Sequence, residues 1–74
     1  MSQKISVVIE RGAKGYYAFC PELPGCQSEV ESYEAVLAHI REASELYLET
    51  LTPKERKTFL SREILTASLE VAAA

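Results

Sequence analysis

The side chains able to do chemistry in this chain are few, and their spacing limits what they could do together. Eleven glutamates, no aspartate, two cysteines (Cys20 and Cys26) and one histidine (His39) make up the carboxylates, thiols and imidazoles of the 74 residues. Two-metal cleavage of a phosphodiester needs several converging carboxylates. The strand-borne glutamates Glu10, Glu29 and Glu70 fall on solvent faces or near strand ends, so they read as surface charge. A general base needs a nucleophile and an orienting partner within hydrogen-bond reach. His39 lies beside Ile40 on a helical stretch, and Glu42 could pair with it only as a helix-surface neighbour. The five residues between Cys20 and Cys26 match neither a redox motif nor half of a standard zinc site. With one histidine, a four-ligand metal site from one chain is not expected. The thiols read as small buried hydrophobes. The expectation is therefore no catalytic residue, no metal and no cofactor.

The chemistry that remains is recognition, and it centres on Phe19-Cys20-Pro21-Glu22-Leu23-Pro24-Gly25-Cys26. Each proline fixes its own φ and biases the residue before it, Cys20 or Leu23, toward extended geometry. Gly25 supplies a backbone angle that other residues resist. The spacing predicts a stiff, shaped crossing between two strands, and stiff exposed loops commonly bind. Pro21, Glu22, Leu23, Pro24 and Gly25 are the candidate partner contacts. Tyr16 and Tyr33 are the aromatic residues expected at the surface, as interface anchors. Tyr17, Phe19 and Tyr47 are expected in the core between sheet and helix.

These candidates need elements to hold them. Ile5, Val7 and Ile9 alternate, which predicts a first strand over 4–10. Arg11 to Gly15 is a glycine-bearing hairpin loop, followed by a second strand over 16–20 and a third over 26–30. Short connections make these an antiparallel meander. Ser32 caps a helix running to about Thr50, whose apolar stripe is Val36, Ile40, Ala43 and Tyr47. Its outer face is mostly acidic. Thr52-Pro53-Lys54-Glu55 starts a second, short helix ending near Ser61. Residues 63–71 alternate again, with Leu65, Ala67, Leu69 and Val71 on one side. They read as a fourth strand, joining the first strand or another copy of the chain.

Composition sets the outer limits. A single domain over 1–74 buries only a thin core, so it should lean on a partner or on itself. A formal net charge of −3 argues against autonomous nucleic-acid binding and fits a basic protein partner. Lys54, Arg56, Lys57 and Arg62 read as a solvated basic face. No apolar run approaches a membrane span and the first residues lack a signal-peptide pattern, so a cytoplasmic location is expected.

The pattern Tyr17-Ala18-x-Cys20-Pro21-Glu22-Leu23-Pro24-Gly25-Cys26-x-Ser28, then Ser32-x-Glu34-Ala35 and Ile40-x-Glu42-Ala43-x-x-x-Tyr47-Leu48, resembles the HicB-like antitoxins. The likeness runs from about residue 5 to 50 and continues loosely beyond. It implies an α+β fold, β-β-β-α-β and partial RNase H-like, with one helix packed on one face of the sheet and no nuclease chemistry. It implies a protein that neutralises a HicA-type mRNA interferase by occluding it, and that assembles with itself as a dimer or tetramer. Val30-Glu31-Ser32 stands where the family has Gly-Asp-Thr, and His39 where it commonly has asparagine. Longer relatives of that family carry a C-terminal DNA-binding domain, which this chain is not expected to contain. The alternatives are a stand-alone regulatory oligomer with no toxin and a degenerate RNase H-like nuclease.

Overall fold

A computed structural model describes residues 3–73 of the chain. Three strands, β1 (Val8–Gly12), β2 (Gly15–Phe19) and β3 (Gln27–Val30), precede two helices, α1 (Tyr33–Glu49) and α2 (Pro53–Leu60). The strands form one antiparallel sheet in the order β1-β2-β3. The architecture is α+β, with α1 packed over β3 and β2. No helix among the described residues is long and apolar enough to cross a membrane.

Loop length fixes the sheet. Gly12 pairs with Gly15, so only Ala13 and Lys14 turn the first hairpin. β1 therefore runs on through Arg11 and Gly12, later than the 4–10 span that alternation suggests. Residues 4–7 precede the sheet because β2 stops at Phe19, where the chain enters its proline-bearing loop. Gly15 has φ +133°, and a Cβ there would meet the Val30 carbonyl oxygen at 2.6 Å. Glycine is required at this point because the start of β2 presses against the end of β3.

The same register decides which residues are inside. Ile9 lies opposite Ala18, and Ala18 opposite Ser28, so these share the face under α1. Ala18 and Cys20 are buried, and Tyr16 packs against them. Tyr17 and Phe19 point to the other face, where their rings lie 5.8 Å apart and the Tyr17 hydroxyl donates to Gln27 Oε1 at 2.9 Å. This corrects the expectation that Tyr17 and Phe19 are core. A two-residue turn sets odd residues of β1 beside even residues of β2, and a one-residue change of pairing moves every side chain to the opposite face.

Both helices start as their sequences dictate. Ser32 Oγ accepts from the Ala35 amide at 3.1 Å, and α1 buries Val36, Ile40 and Ser44. Thr52 and Glu55 form a reciprocal capping box: Thr52 N donates to Glu55 Oε1 at 2.9 Å and Glu55 N donates to Thr52 Oγ1 at 3.1 Å. Val36, Ile40, Leu23, Ala18, Cys20 and Cys26 make the core, with Ile5, Val7 and Ile9 against it.

Residues 63–71 form no strand. The expected β-β-β-α-β order is here β-β-β-α-α followed by an extended segment. Leu65, Leu69 and Val71 are 80–84 % exposed. Alternation specifies which side chains share a face, but a strand also needs an edge to pair with. Here the segment pairs with neither open edge of the sheet.

Candidate functional site

The proline-bearing loop folds as two consecutive turns. Leu23 N donates to the Cys20 carbonyl at 3.1 Å, and Cys26 N to the Leu23 carbonyl at 3.0 Å. Cys20 N closes the pair by donating to the Cys26 carbonyl at 3.0 Å. In the second turn Pro24 is followed by Gly25 at φ +83°, the geometry of a type II turn, which favours proline then glycine. In the first turn no residue is left-handed, so Pro21 and Glu22 suit it. The stiffness expected from the sequence is therefore built from named hydrogen bonds.

What the loop holds is mostly internal. Leu23 is fully enclosed in the core and Glu22 is only 6 % exposed. The Glu22 carboxylate accepts the Ser6 amide on both oxygens, at 3.1 and 3.0 Å. It also accepts from the Cys20 thiol at 3.5 Å. From the other side, Arg62 donates to the carbonyls of Pro21 and Glu22, each at 2.8 Å. Cys26 Sγ lies 3.5 Å from Ser44 Oγ on α1. The loop thus ties together the segment before β1, α1 and the residue that follows α2. Glu22 and Leu23, expected as partner contacts, are packing residues. An unpaired buried carboxylate is costly, so a glutamate here must be hydrogen-bonded, and it is. Only Pro24 and Gly25 are exposed at the apex, with Pro21 half-buried.

Tyr16 and Tyr33 are brought together, but elsewhere. Their rings meet edge to face at 6.0 Å, and the Arg11 guanidinium sits 5.7 Å from the Tyr16 ring centre. Tyr33 is half-exposed and Tyr16 partly buried. Tyr16 opens β2 and the loop follows its end, so roughly 13 Å of strand separates them at the usual rise per residue. The structure therefore offers two small surfaces at opposite ends of the sheet instead of one. The glutamates expected around the loop are also dispersed. Glu29 lies opposite Tyr17 on the uncovered sheet face, and Glu31 follows β3 near Tyr33.

The larger exposed feature is α1 itself. At its helical spacing Glu34, Glu42, Glu45 and Glu49 form a stripe opposite the buried Val36 and Ile40. Exposed Leu37 and Leu46 flank it. His39 is exposed. Among the described residues no group of three or more histidine, cysteine, aspartate or glutamate side chains could hold a metal ion. Burial, reinforced by the Glu22 carboxylate, pushes the Cys20 thiol up to about 11, so it stays protonated and weakly nucleophilic at neutral pH. Two features escaped sequence reasoning: the enclosed Glu22 and the anchoring Arg62. The Glu22 position between two turn-setting prolines is the only signal that could have found the first.

A small α+β domain with a keystone loop and an acidic helix face is the class that fold and site define. No family model and no solved structure matches the chain. It is 43 % identical over 68 residues to a UPF0150 protein of Helicobacter pylori, covering 92 % of this chain and 94 % of that protein. It is 35 % identical over 63 residues to a UPF0150 protein of Archaeoglobus fulgidus, covering 84 % of this chain and 91 % of that one. A UPF0150 protein of Synechocystis is 51 % identical over 37 residues, about half of each chain. The chain belongs to the UPF0150 family.

Proposed function

We propose that this UPF0150 protein is a HicB-like antitoxin that neutralises a HicA-type mRNA interferase by covering its basic surface. The observation that carries the reading is the glutamate stripe on α1, flanked by exposed Leu37 and Leu46, on a chain of net charge −3. A basic partner is steered toward such a face, and apolar side chains at its margins give contact area once water is expelled. The β-β-β-α order and the loop motif support a partial RNase H-like assignment for the sheet and α1. Occlusion needs no reactive group on this chain.

The test is co-expression with a HicA-type nuclease, followed by affinity capture through a tag on the nuclease. Capture of the wild-type chain is expected. The variant Glu42→Lys/Glu45→Lys/Glu49→Lys should bind at least about tenfold more weakly, because rim charges govern encounter. Pro24→Ala should have a smaller effect, since the loop apex is a minor exposed surface. Capture unchanged by three charge reversals would remove the acidic face from the mechanism. Absence of capture by the folded wild-type chain would remove the antitoxin reading.

A further inference from the structure

β1 has β2 on one side and, among the described residues, no paired strand on the other. Because α1 lies over β3 and β2, its flank on the β1 side has no strand beneath it. The space there is an open groove between residues 3–7 and α1, with Ile5, Val7, Ile40 and Leu48 as its apolar floor and Lys4, Arg41, Glu42, Glu45 and Glu49 around its rim. Arg56 reaches this groove from α2, and its Nε is buried without a hydrogen-bond partner among the described residues. An exposed sheet edge beside an apolar trough, with an unanswered buried donor, is what a missing strand leaves behind.

The same chain carries a segment of matching form. Residues 63–71 alternate, with Leu65, Ala67, Leu69 and Val71 on one side and Ile64, Thr66, Ser68 and Glu70 on the other. Ile64 is half-buried, while Leu65, Leu69 and Val71 stand 80–84 % exposed. The molecule has a radius of gyration of 14.3 Å and a long axis of 47 Å against 28 and 18 Å. A compact chain of this length would have a radius of about 11 Å. Nine extended residues reach roughly 30 Å, enough to run the length of β1. Arg62, held by the Pro21 and Glu22 carbonyls, fixes where this arm departs.

We infer that residues 63–71 pair with the free edge of β1 in a second copy of this chain, seating Leu65 and Leu69 in its groove, and that the exchange is reciprocal. A two-fold arrangement fits, since each copy offers one arm and one groove. Ladder hydrogen bonds supply backbone pairing, and alternate side chains fill the trough. Arg56 gains a backbone carbonyl of the arm as acceptor. Each copy then has a four-stranded sheet, completed by its partner. The inference needs no toxin, although the groove shares Glu42, Glu45 and Glu49 with the acidic face of α1.

Light scattering after size exclusion and amide hydrogen exchange on the purified full chain test it. Twice the chain mass is expected, with slow exchange in both 63–71 and 4–10. Leu65→Glu/Leu69→Glu should run at the single-chain mass and lose protection in both segments while keeping its helical circular dichroism. The milder Leu65→Ala/Leu69→Ala should weaken assembly at least about tenfold. Since Leu65 and Leu69 both lie outside the core, the helices serve as an internal control for folding. A wild-type chain of single mass overturns the inference, as does an assembly unchanged by the double substitutions. Protection of 63–71 at single-chain mass would show the arm on its own sheet and would equally overturn it.

Discussion

At Cys20 three influences compete for one proton. Burial disfavours the thiolate, the Glu22 carboxylate repels it, and the amides of Leu23 and Glu22 pull the other way. Burial wins, and the folded thiol is pushed up to about 11 from an ordinary value of 9.0. A group whose folded pKa is raised adds stability that is fully present below its unfolded pKa. That stability is lost as pH rises through the folded value. The window for this residue is therefore about pH 9 to 11. Cys20→Ala should flatten the fall in urea midpoint across this window. An alkaline limb of unchanged slope in the variant would show that the thiol does not carry it. The same surroundings explain what could be read of the site in advance. The prolines and Gly25 announced a shaped loop, because their backbone limits are local. That Glu22 turns inward was not legible, because its partners, Ser6 and Cys20, are set by tertiary approach.

Among the elements, the helices were legible nearly to the residue. Ser32 and Thr52 are caps whose partners sit three residues away, so sequence contains the whole motif. The sheet was legible in order but not in facing. Ala13 and Lys14 form a two-residue turn inside a five-residue stretch of plausible loop, and that choice flips β2. Small Ala18 faces α1 and lets the helix approach, while aromatic Phe19 takes the open side. Substitutions at these neighbours should therefore behave oppositely to their hydrophobicity. Ala18→Leu should cost about 1–3 kcal/mol by overfilling the helix contact. Phe19→Thr should cost under about 1 kcal/mol, the scale of a cross-strand pair on an exposed face. Denaturant titration of both variants measures the order, and a larger loss for Phe19→Thr would reverse the assigned register. The final segment failed as a strand for a different reason. Its alternation was correctly seen, but pairing is a property of an edge, and the segment extends away from the open edges of its own sheet.

At the scale of the whole molecule, two surfaces are proposed to bind, and they differ in physics. The α1 face is charged: Glu34, Glu42, Glu45 and Glu49 stand in solvent on a chain of net charge −3. The groove beside β1 has an apolar floor of Ile5, Val7, Ile40 and Leu48 and shares Glu42, Glu45 and Glu49 at its rim with the α1 face, and the arm that fits its floor brings leucines. Salt distinguishes them. The screening length falls from about 10 Å at 0.1 M to about 3 Å at 1 M ionic strength, so steering by exposed glutamates fades across that range. Apolar burial does not fade, and excluded salts such as sulfate strengthen it. Capture of a HicA-type nuclease should therefore slow at least about tenfold in association rate between low and high salt. Self-association of the chain should hold or tighten in the same titration. Surface plasmon resonance for capture and light scattering for assembly read both from one preparation. The Glu42→Lys/Glu45→Lys/Glu49→Lys variant should lose the salt dependence of capture. If capture ignores salt, the glutamate stripe is a solvated face and another surface holds the nuclease. If assembly dissolves in salt, charge pairs and not Leu65 and Leu69 join the copies.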